Sequence, residues 1–186
     1  MKTEIRNHVE AFRKALELAA NTRKEECREM DRWFNELENF PQGCCDLASN
    51  FLAKYLSELE WDLSPYIICL SWNENEIKKG HVIVALDGDY IDITLDQFDE
   101  CKQNLKDNPV VIEQIESEGE LSKFIKKIQK EESTKITTRN INIDTETKNG
   151  HDLYQWIHTT ANNFVKPNSH SEKWPKLIDT EIRKAW

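Results

Sequence analysis

The sequence predicts an α+β domain in which helices flank a small antiparallel sheet. Apolar residues recur at helical spacing through the first 57 residues, and short β-rich runs follow between residues 66 and 115. Helical patterns return after Gly119. Helices followed by a meander and then by further helices are typical of a helix layer packed on a sheet. A chain of 186 residues can form such a core as a single domain without disulfides or metal.

Two amphipathic helices are predicted at the start of the chain, over residues 4–20 and 23–38. Their apolar residues follow steps of three and four, which place them on one face of each helix. They are Ile5, Val9, Phe12, Leu16 and Ala19 in the first helix and Met30, Trp33, Phe34 and Leu37 in the second.

A third helix is predicted after the break at residues 40–43, whose sequence is Phe-Pro-Gln-Gly. Proline lacks the backbone donor that a helix needs, and glycine permits a tight turn. The chain then presents apolar residues on one helical face, namely Leu47, Ala48, Phe51, Leu52 and Tyr55. Cys44 and Cys45 therefore lie at the start of this helix.

The β-rich part contains four candidate strands with sequences YIICLSW, HVIVALD, YIDITL and PVVIEQI. The polar segment 73–80 is predicted to connect the first two, so that His81 opens the second strand. Asp-Gly-Asp around Gly88 tolerates the positive φ of a tight turn and predicts a hairpin between the second and third strands.

The remaining chain is predicted to hold helices at residues 117–132 and 151–165 and a short one at 171–186, with an exposed hairpin or linker at 131–150. We assign one domain over residues 1–186. It comprises N-terminal helices (1–39), a core with the chemistry-bearing residues (40–130) and a C-terminal extension (131–186).

Composition limits the function classes. A net charge of −9 and a pI of about 5.1 make nucleic acid and anionic membranes poor partners. No run approaches the roughly 20 apolar residues of a membrane span, and the N-terminus has no apolar signal core. Five cysteines, an odd number, indicate free thiols in a reducing compartment. We therefore expect a soluble cytoplasmic protein.

No cofactor or metal is expected. His151 and His158 share a face of one predicted helix, but no thiol or carboxylate accompanies them at the spacing of a zinc site. The sequence does not specify an oligomeric state.

Three residue types in chain order indicate nucleophilic chemistry. A thiol at a helix N-terminus, Cys44 or Cys45, is shifted toward thiolate by the helix dipole. His81 can act as its base, and Asp92 on the paired strand can orient the imidazole. Each residue also has a purely structural interpretation. Adjacent cysteines, for example, often serve as small buried apolar residues.

The hairpin geometry sets a condition on this site. His81 is expected roughly opposite Ile93–Thr94, which leaves Asp92 one residue off that partner. Side chains alternate faces along a strand, so a slip of one residue moves Asp92 to the opposite face. We expect a bulge or register shift to bring the carboxylate to the imidazole.

Residues 40–56 and 81–98 resemble the transglutaminase-like and papain-like superfamily, in which a helix-borne Cys precedes a strand-borne His and then an Asp or Asn. The two segments look like the signature blocks of a bacterial group with this core, and the resemblance covers about residues 38–100. It implies a nucleophile helix packed on a small antiparallel sheet, with extra flanking helices here. The family's usual His-Ala-Trp differs from this chain, in which Val82-Ile83 follow the histidine.

The resemblance leaves the choice of thiol open. Cys44 is followed by Asp46 and Ala48, as in the transglutaminase-type Gly-x-Cys-x-Asp-x-Ala pattern, but the glycine is displaced by one residue. Cys45 keeps the Gly-x-Cys spacing from Gly43 and is the preferred nucleophile.

Two glutamines flank these blocks. Gln42 resembles the papain-family glutamine that donates to an oxyanion, although a plain loop residue is the alternative. Gln97, in the Asp-Gln-Phe segment after the third strand, is interpreted as part of a turn, with bracing of the site as the alternative.

The resemblance implies a cysteine-dependent amide hydrolase or acyl-transferase, that is, a deamidase, a peptidase or a transglutaminase-like enzyme acting on a protein or peptide amide. The acidic surface weakly favours a basic protein substrate, and an ordinary solvated surface is the default interpretation of such charge. One alternative is a catalytically inactive papain-like fold that serves as a protein-binding module. Another is a redox sensor that uses Cys44 and Cys45.

Overall fold

The computed structural model describes residues 3–114, 117–131, 133–143 and 150–165. It confirms the α+β class, with helices flanking one antiparallel sheet. The α-helices are α1 (Thr3–Glu17), α2 (Lys24–Cys27), α3 (Cys45–Ser57), α4 (Asp99–Lys102), α5 (Glu120–Ile128) and α6 (His151–Val165). Single wide turns of π-type helix cover Leu18–Thr22 and Trp33–Leu37, and a 3₁₀ turn covers Leu95–Gln97.

The sheet has five strands in the order β4-β3-β2-β1-β5, and each neighbouring pair is antiparallel. The strands are β1 (Tyr66–Glu74), β2 (Ile77–Leu86), β3 (Asp89–Asp92), β4 (Val111–Gln114) and β5 (Lys135–Arg139). The fourth strand is therefore confirmed. In the predicted hairpin or linker at 131–150, β5 pairs with β1 as an edge strand, and residues 144–149 lie outside the described residues, as does the predicted helix at 171–186.

The prediction of one continuous helix over residues 23–38 is wrong. After the four residues of α2 the chain turns, and Arg32 has a left-handed φ of 70° before the π-type turn begins at Trp33. A right-handed helix cannot pass through a left-handed residue. The Arg32 guanidinium bonds Glu36 in the next turn, with its Nε 2.5 Å from Oε1.

The prediction of a loop between the first two strands is also wrong. β1 runs to Glu74 and pairs there with Ile77, the first residue of β2. The turn consists of Asn75 and Glu76 alone, with φ of 50° and 67°, and two left-handed residues form the type I′ turn that suits a two-residue hairpin. His81 therefore lies inside β2 rather than at its start.

Each face of the sheet is buried under helices. On one face, α3 packs on β1 and β2, and α1 and α6 pack together around it. The hydroxyl of Ser49 on α3 donates to the backbone oxygen of Val82 on β2 at 2.8 Å. On the other face lie α5, α4 and the 3₁₀ turn, whose apolar side chains include Leu95, Phe98 and Phe124. The start of α3 is thereby fixed against the middle of β2.

Candidate active site

The two adjacent cysteines have different environments. Cys44 precedes the first turn of α3 and is fully buried, and its Sγ donates to the backbone oxygen of Glu36 at 2.6 Å. Burial raises the pKa of Cys44 to about 12, which keeps it a neutral thiol. Cys45 is the first residue of α3 and is half-buried, at the positive end of the helix dipole. Of the two thiols, Cys45 is the one placed to react.

His81 and Asp92 form a buried pair. His81 Nε2 lies 2.5 Å from Asp92 Oδ2, and the two side chains are 0% and 1% exposed. The other carboxylate oxygen, Oδ1, accepts from the Thr94 backbone N–H at 2.8 Å. Asp92 thus has one oxygen held by the backbone and one directed at the imidazole, which fixes the orientation of the His81 ring.

No bulge is needed to bring this pair together, so the expectation of one is wrong. The turn is Asp87-Gly88, with φ of 51° and 84°, and the register pairs Leu86 with Asp89 and Val84 with Ile91. Extending that register by one pair places Asp92 opposite Ile83. Ile83 and His81 are two residues apart on β2 and share a face. The two-residue turn alone therefore places the carboxylate diagonal to the imidazole.

His81 lies beside the candidate nucleophile. Burial by itself lowers the pKa of His81, but the charge and hydrogen bond of Asp92, together with the neighbouring Cys45 side chain, raise it to about 10. Nε2 is engaged by Asp92, and Nδ1 lies 3.2 Å from the side-chain nitrogen of Gln97. The Asp92 carboxylate thus favours the protonated form of the imidazole.

Gln97 belongs to this site, although the sequence favoured a plain turn. Its Nε2 lies 3.2 Å from His81 Nδ1 and donates to the Thr94 backbone oxygen at 3.0 Å. Its Oε1 accepts from the Gly43 backbone N–H at 3.3 Å, so one carboxamide bridges the loop before α3 and the imidazole. In the sequence, the signal that Gln97 belongs to the site was its position just after the strand that carries Asp92. The side chain of Gln42 is exposed.

Arg13, which the sequence did not single out, fixes the segment that follows β3. It is 5% exposed and donates to the backbone oxygen of Ile93 at 2.5 Å. Its two terminal nitrogens bond the two carboxylate oxygens of Asp96, each at 2.9 Å. The guanidinium carbon also lies 4.5 Å from the ring centroid of Phe40. Arg13 thereby ties α1 to both loops that carry site residues.

Within the described residues, no group of three or more His, Cys, Asp and Glu side chains is arranged to hold a metal ion. His158 instead faces Glu58, with Nε2 3.7 Å from Oε2. The described part of the chain also contains no helix with the length and apolar character of a membrane span.

The chain is similar to two Escherichia coli proteins, both named uncharacterized protein YuaU. The protein from strain K12 is 37% identical over 123 residues, which cover 66% of this chain and 53% of the relative. The protein from strain UTI89 is 36% identical over the same length. This chain thus spans about half the length of the curated relatives it matches. No protein-family model and no solved structure matches it.

Proposed function

We propose that the chain is a cysteine-dependent amide hydrolase or acyl-transferase with a papain-like or transglutaminase-like core. The observation that carries the proposal is the buried His81–Asp92 pair, with the Cys45 thiol beside its imidazole. A half-buried thiol at a helix N-terminus, a base in contact with it and a carboxylate that orients the base form the arrangement of an activated nucleophile.

In the first step the Cys45 thiolate attacks the amide carbonyl carbon, and the carbonyl electron pair moves onto oxygen. The backbone N–H groups of the first turn of α3, which have no partner within the helix, are available to stabilise the developing oxyanion. The intermediate then collapses, the C–N bond breaks, and the His81 imidazolium gives its proton to the leaving amine or ammonia. A thioester on Cys45 and a neutral His81 remain.

In the second step His81 accepts a proton from water or from an acceptor amine, which attacks the thioester carbon. Breaking the C–S bond returns the thiolate and releases an acid or a new amide. Asp92 holds the imidazole in one tautomer and stabilises its cationic form in both steps. Deamidation, peptide cleavage and acyl transfer differ only in which amine leaves in the first step and in which molecule, water or an amine, accepts the acyl group in the second.

The proposed chemistry favours a reducing compartment, because the nucleophile works only while it is reduced. We place the protein in the cytoplasm, with a protein or peptide amide as its substrate.

Alkylation by iodoacetamide tests the nucleophile. Cys45 is expected to react faster than the other four thiols, because a base lies beside it. His81→Gln is expected to remove this advantage, because the adjacent base is lost. The measurement is the rate of label uptake at each cysteine by peptide mass spectrometry.

The control for this experiment is His8→Gln, since His8 lies on α1 and bonds Tyr55 away from the site, with its Nδ1 2.6 Å from the Tyr55 hydroxyl. It should leave the Cys45 labelling rate unchanged. Slow, equal labelling of all five cysteines would remove the enzyme proposal and leave the binding-module interpretation. A reversible loss of two hydrogens from the Cys44–Cys45 peptide, without fast alkylation, would favour the redox sensor.

A further inference from the structure

A groove of about 370 Å³ begins at Gln97 and runs between β1–β2 and α5. Its floor is apolar and largely buried, with Trp72, Phe124 and Ile128 at 5%, 4% and 3% exposure. Phe98 completes the floor, 6.1 Å from the Trp72 ring and 4.6 Å from the Phe124 ring between centroids. The volume is within the range of roughly 300–1,000 Å³ that small-molecule sites occupy.

The same aromatic rings surround the base of the candidate site. The His81 ring lies edge-on to Phe98 and Phe124, with centroids 5.0 Å and 6.0 Å away. Gln97 lines the groove and also contacts His81 Nδ1. A peptide whose amide lies at Cys45 can therefore extend a neighbouring side chain into this groove.

The rim of the groove is acidic. Four carboxylates line it, from Glu74, Asp99, Glu100 and Glu131, against the two ammonium groups of Lys79 and Lys127. Lys127 is already paired with Glu100. Three carboxylates thus face one remaining ammonium, above aromatic faces that attract cations. An aliphatic chain that ends in a positive charge matches both the floor and the rim.

We propose that this groove binds a lysine or arginine side chain next to the reacting amide, so that the substrate is a basic peptide segment. This inference rests on the proposed function and adds the substrate class to it. The side-chain methylenes lie on Trp72 and Phe98, and the cation is held by Glu74, Asp99 and Glu131. An acidic segment is repelled by the same rim.

The test uses three chloroacetylated peptides that are identical except for one residue, which is lysine, norleucine or glutamate. The rate at which each alkylates Cys45 is divided by the iodoacetamide rate of the same protein, which corrects for intrinsic thiol reactivity. The lysine peptide is expected to react at least about tenfold faster than the glutamate peptide at low salt. The preference should shrink as ionic strength rises.

The variant that tests the groove is Glu74→Gln, Glu131→Gln and Asp99→Asn combined, which should abolish the lysine preference. Its matched control is Glu29→Gln, Glu60→Gln and Asp107→Asn, three exposed carboxylates that do not line the groove, with the same change in net charge. The control should keep the preference. Two outcomes would overturn the groove assignment alone. In the first, iodoacetamide labels Cys45 fast but the lysine and glutamate peptides react at the same rate. In the second, the groove variant and its control lose the lysine preference equally. Failure of selective iodoacetamide labelling would instead overturn the proposed function.

Discussion

Replacing Cys45 with alanine is expected to remove the one fast-reacting thiol of the protein, while replacing Cys44 with alanine leaves it. Cys45 is half-buried beside His81, whose pKa is raised, whereas Cys44 is fully buried with its Sγ bonded to the Glu36 backbone oxygen. Loss of a nucleophile in a comparable triad lowers turnover by roughly 10⁶-fold. Burst alkylation with a sub-stoichiometric amount of iodoacetamide measures this difference directly.

Cys44→Ala also serves as the control for folding, because it alters the adjacent residue and creates a small internal void. Its cost should appear in the free energy of unfolding rather than in the labelling rate. If Cys44→Ala removed the fast phase and Cys45→Ala kept it, the assignment of the nucleophile would be reversed.

Arg13→Met is expected to destabilise the fold by about 3–5 kcal/mol, the typical cost of removing one partner of a buried ion pair. The side chains of Arg13 and Asp96 are only 7% and 15% exposed, and the variant leaves the Asp96 carboxylate and the Ile93 backbone oxygen without their donor. Because Arg13 also holds the segment that carries Gln97, the Cys45 labelling rate should fall as well. Urea unfolding monitored by tryptophan fluorescence measures the stability change.

The matched control is Arg28→Met. Arg28 pairs with Glu25 at 2.8 Å, but the two side chains are 52% and 65% exposed, and an exposed pair contributes about 0–1 kcal/mol. Adding Asp96→Leu to Arg13→Met should recover part of the lost stability, since no buried charge then remains unpaired. An Arg13→Met protein as stable as the Arg28→Met protein would show that the buried pair does not support the loop.

Local signals predicted much of the architecture. The Pro-Gln-Gly break located the start of α3, and Asp87-Gly88 located the turn between β2 and β3. That turn also carried the information for the His81–Asp92 geometry, because a two-residue loop fixes the register of the whole hairpin. The expected bulge is unnecessary, because Leu86 and Asp89 are the pair that closes the turn and this register already places Asp92 near His81. The catalytic role of these residues and the papain-like core remain predictions.

The missed features depend on residues far apart in the chain. Arg13 and Asp96 are 83 positions apart, and no local periodicity marks that contact. The pairing of β5 with β1 is similarly distant and involves a strand with mostly exposed side chains. The spacing from Gly43 favoured Cys45 over Cys44, but the burial of Cys44 against the Glu36 backbone oxygen depends on tertiary packing that the sequence does not mark.

The charge state of His81 tests the central claim most directly. Nuclear magnetic resonance of the imidazole nitrogens, with ¹⁵N-labelled histidine, reports their protonation as the pH is raised. Because Asp92 and Cys45 favour the cation more than burial opposes it, His81 should remain protonated on both nitrogens well above the ordinary value of about 6.5 and titrate toward about 10. Asp92→Asn should lower that midpoint. A His81 ring that is neutral at physiological pH, with a midpoint at or below the ordinary value, would contradict the ion pair on which the proposed chemistry depends.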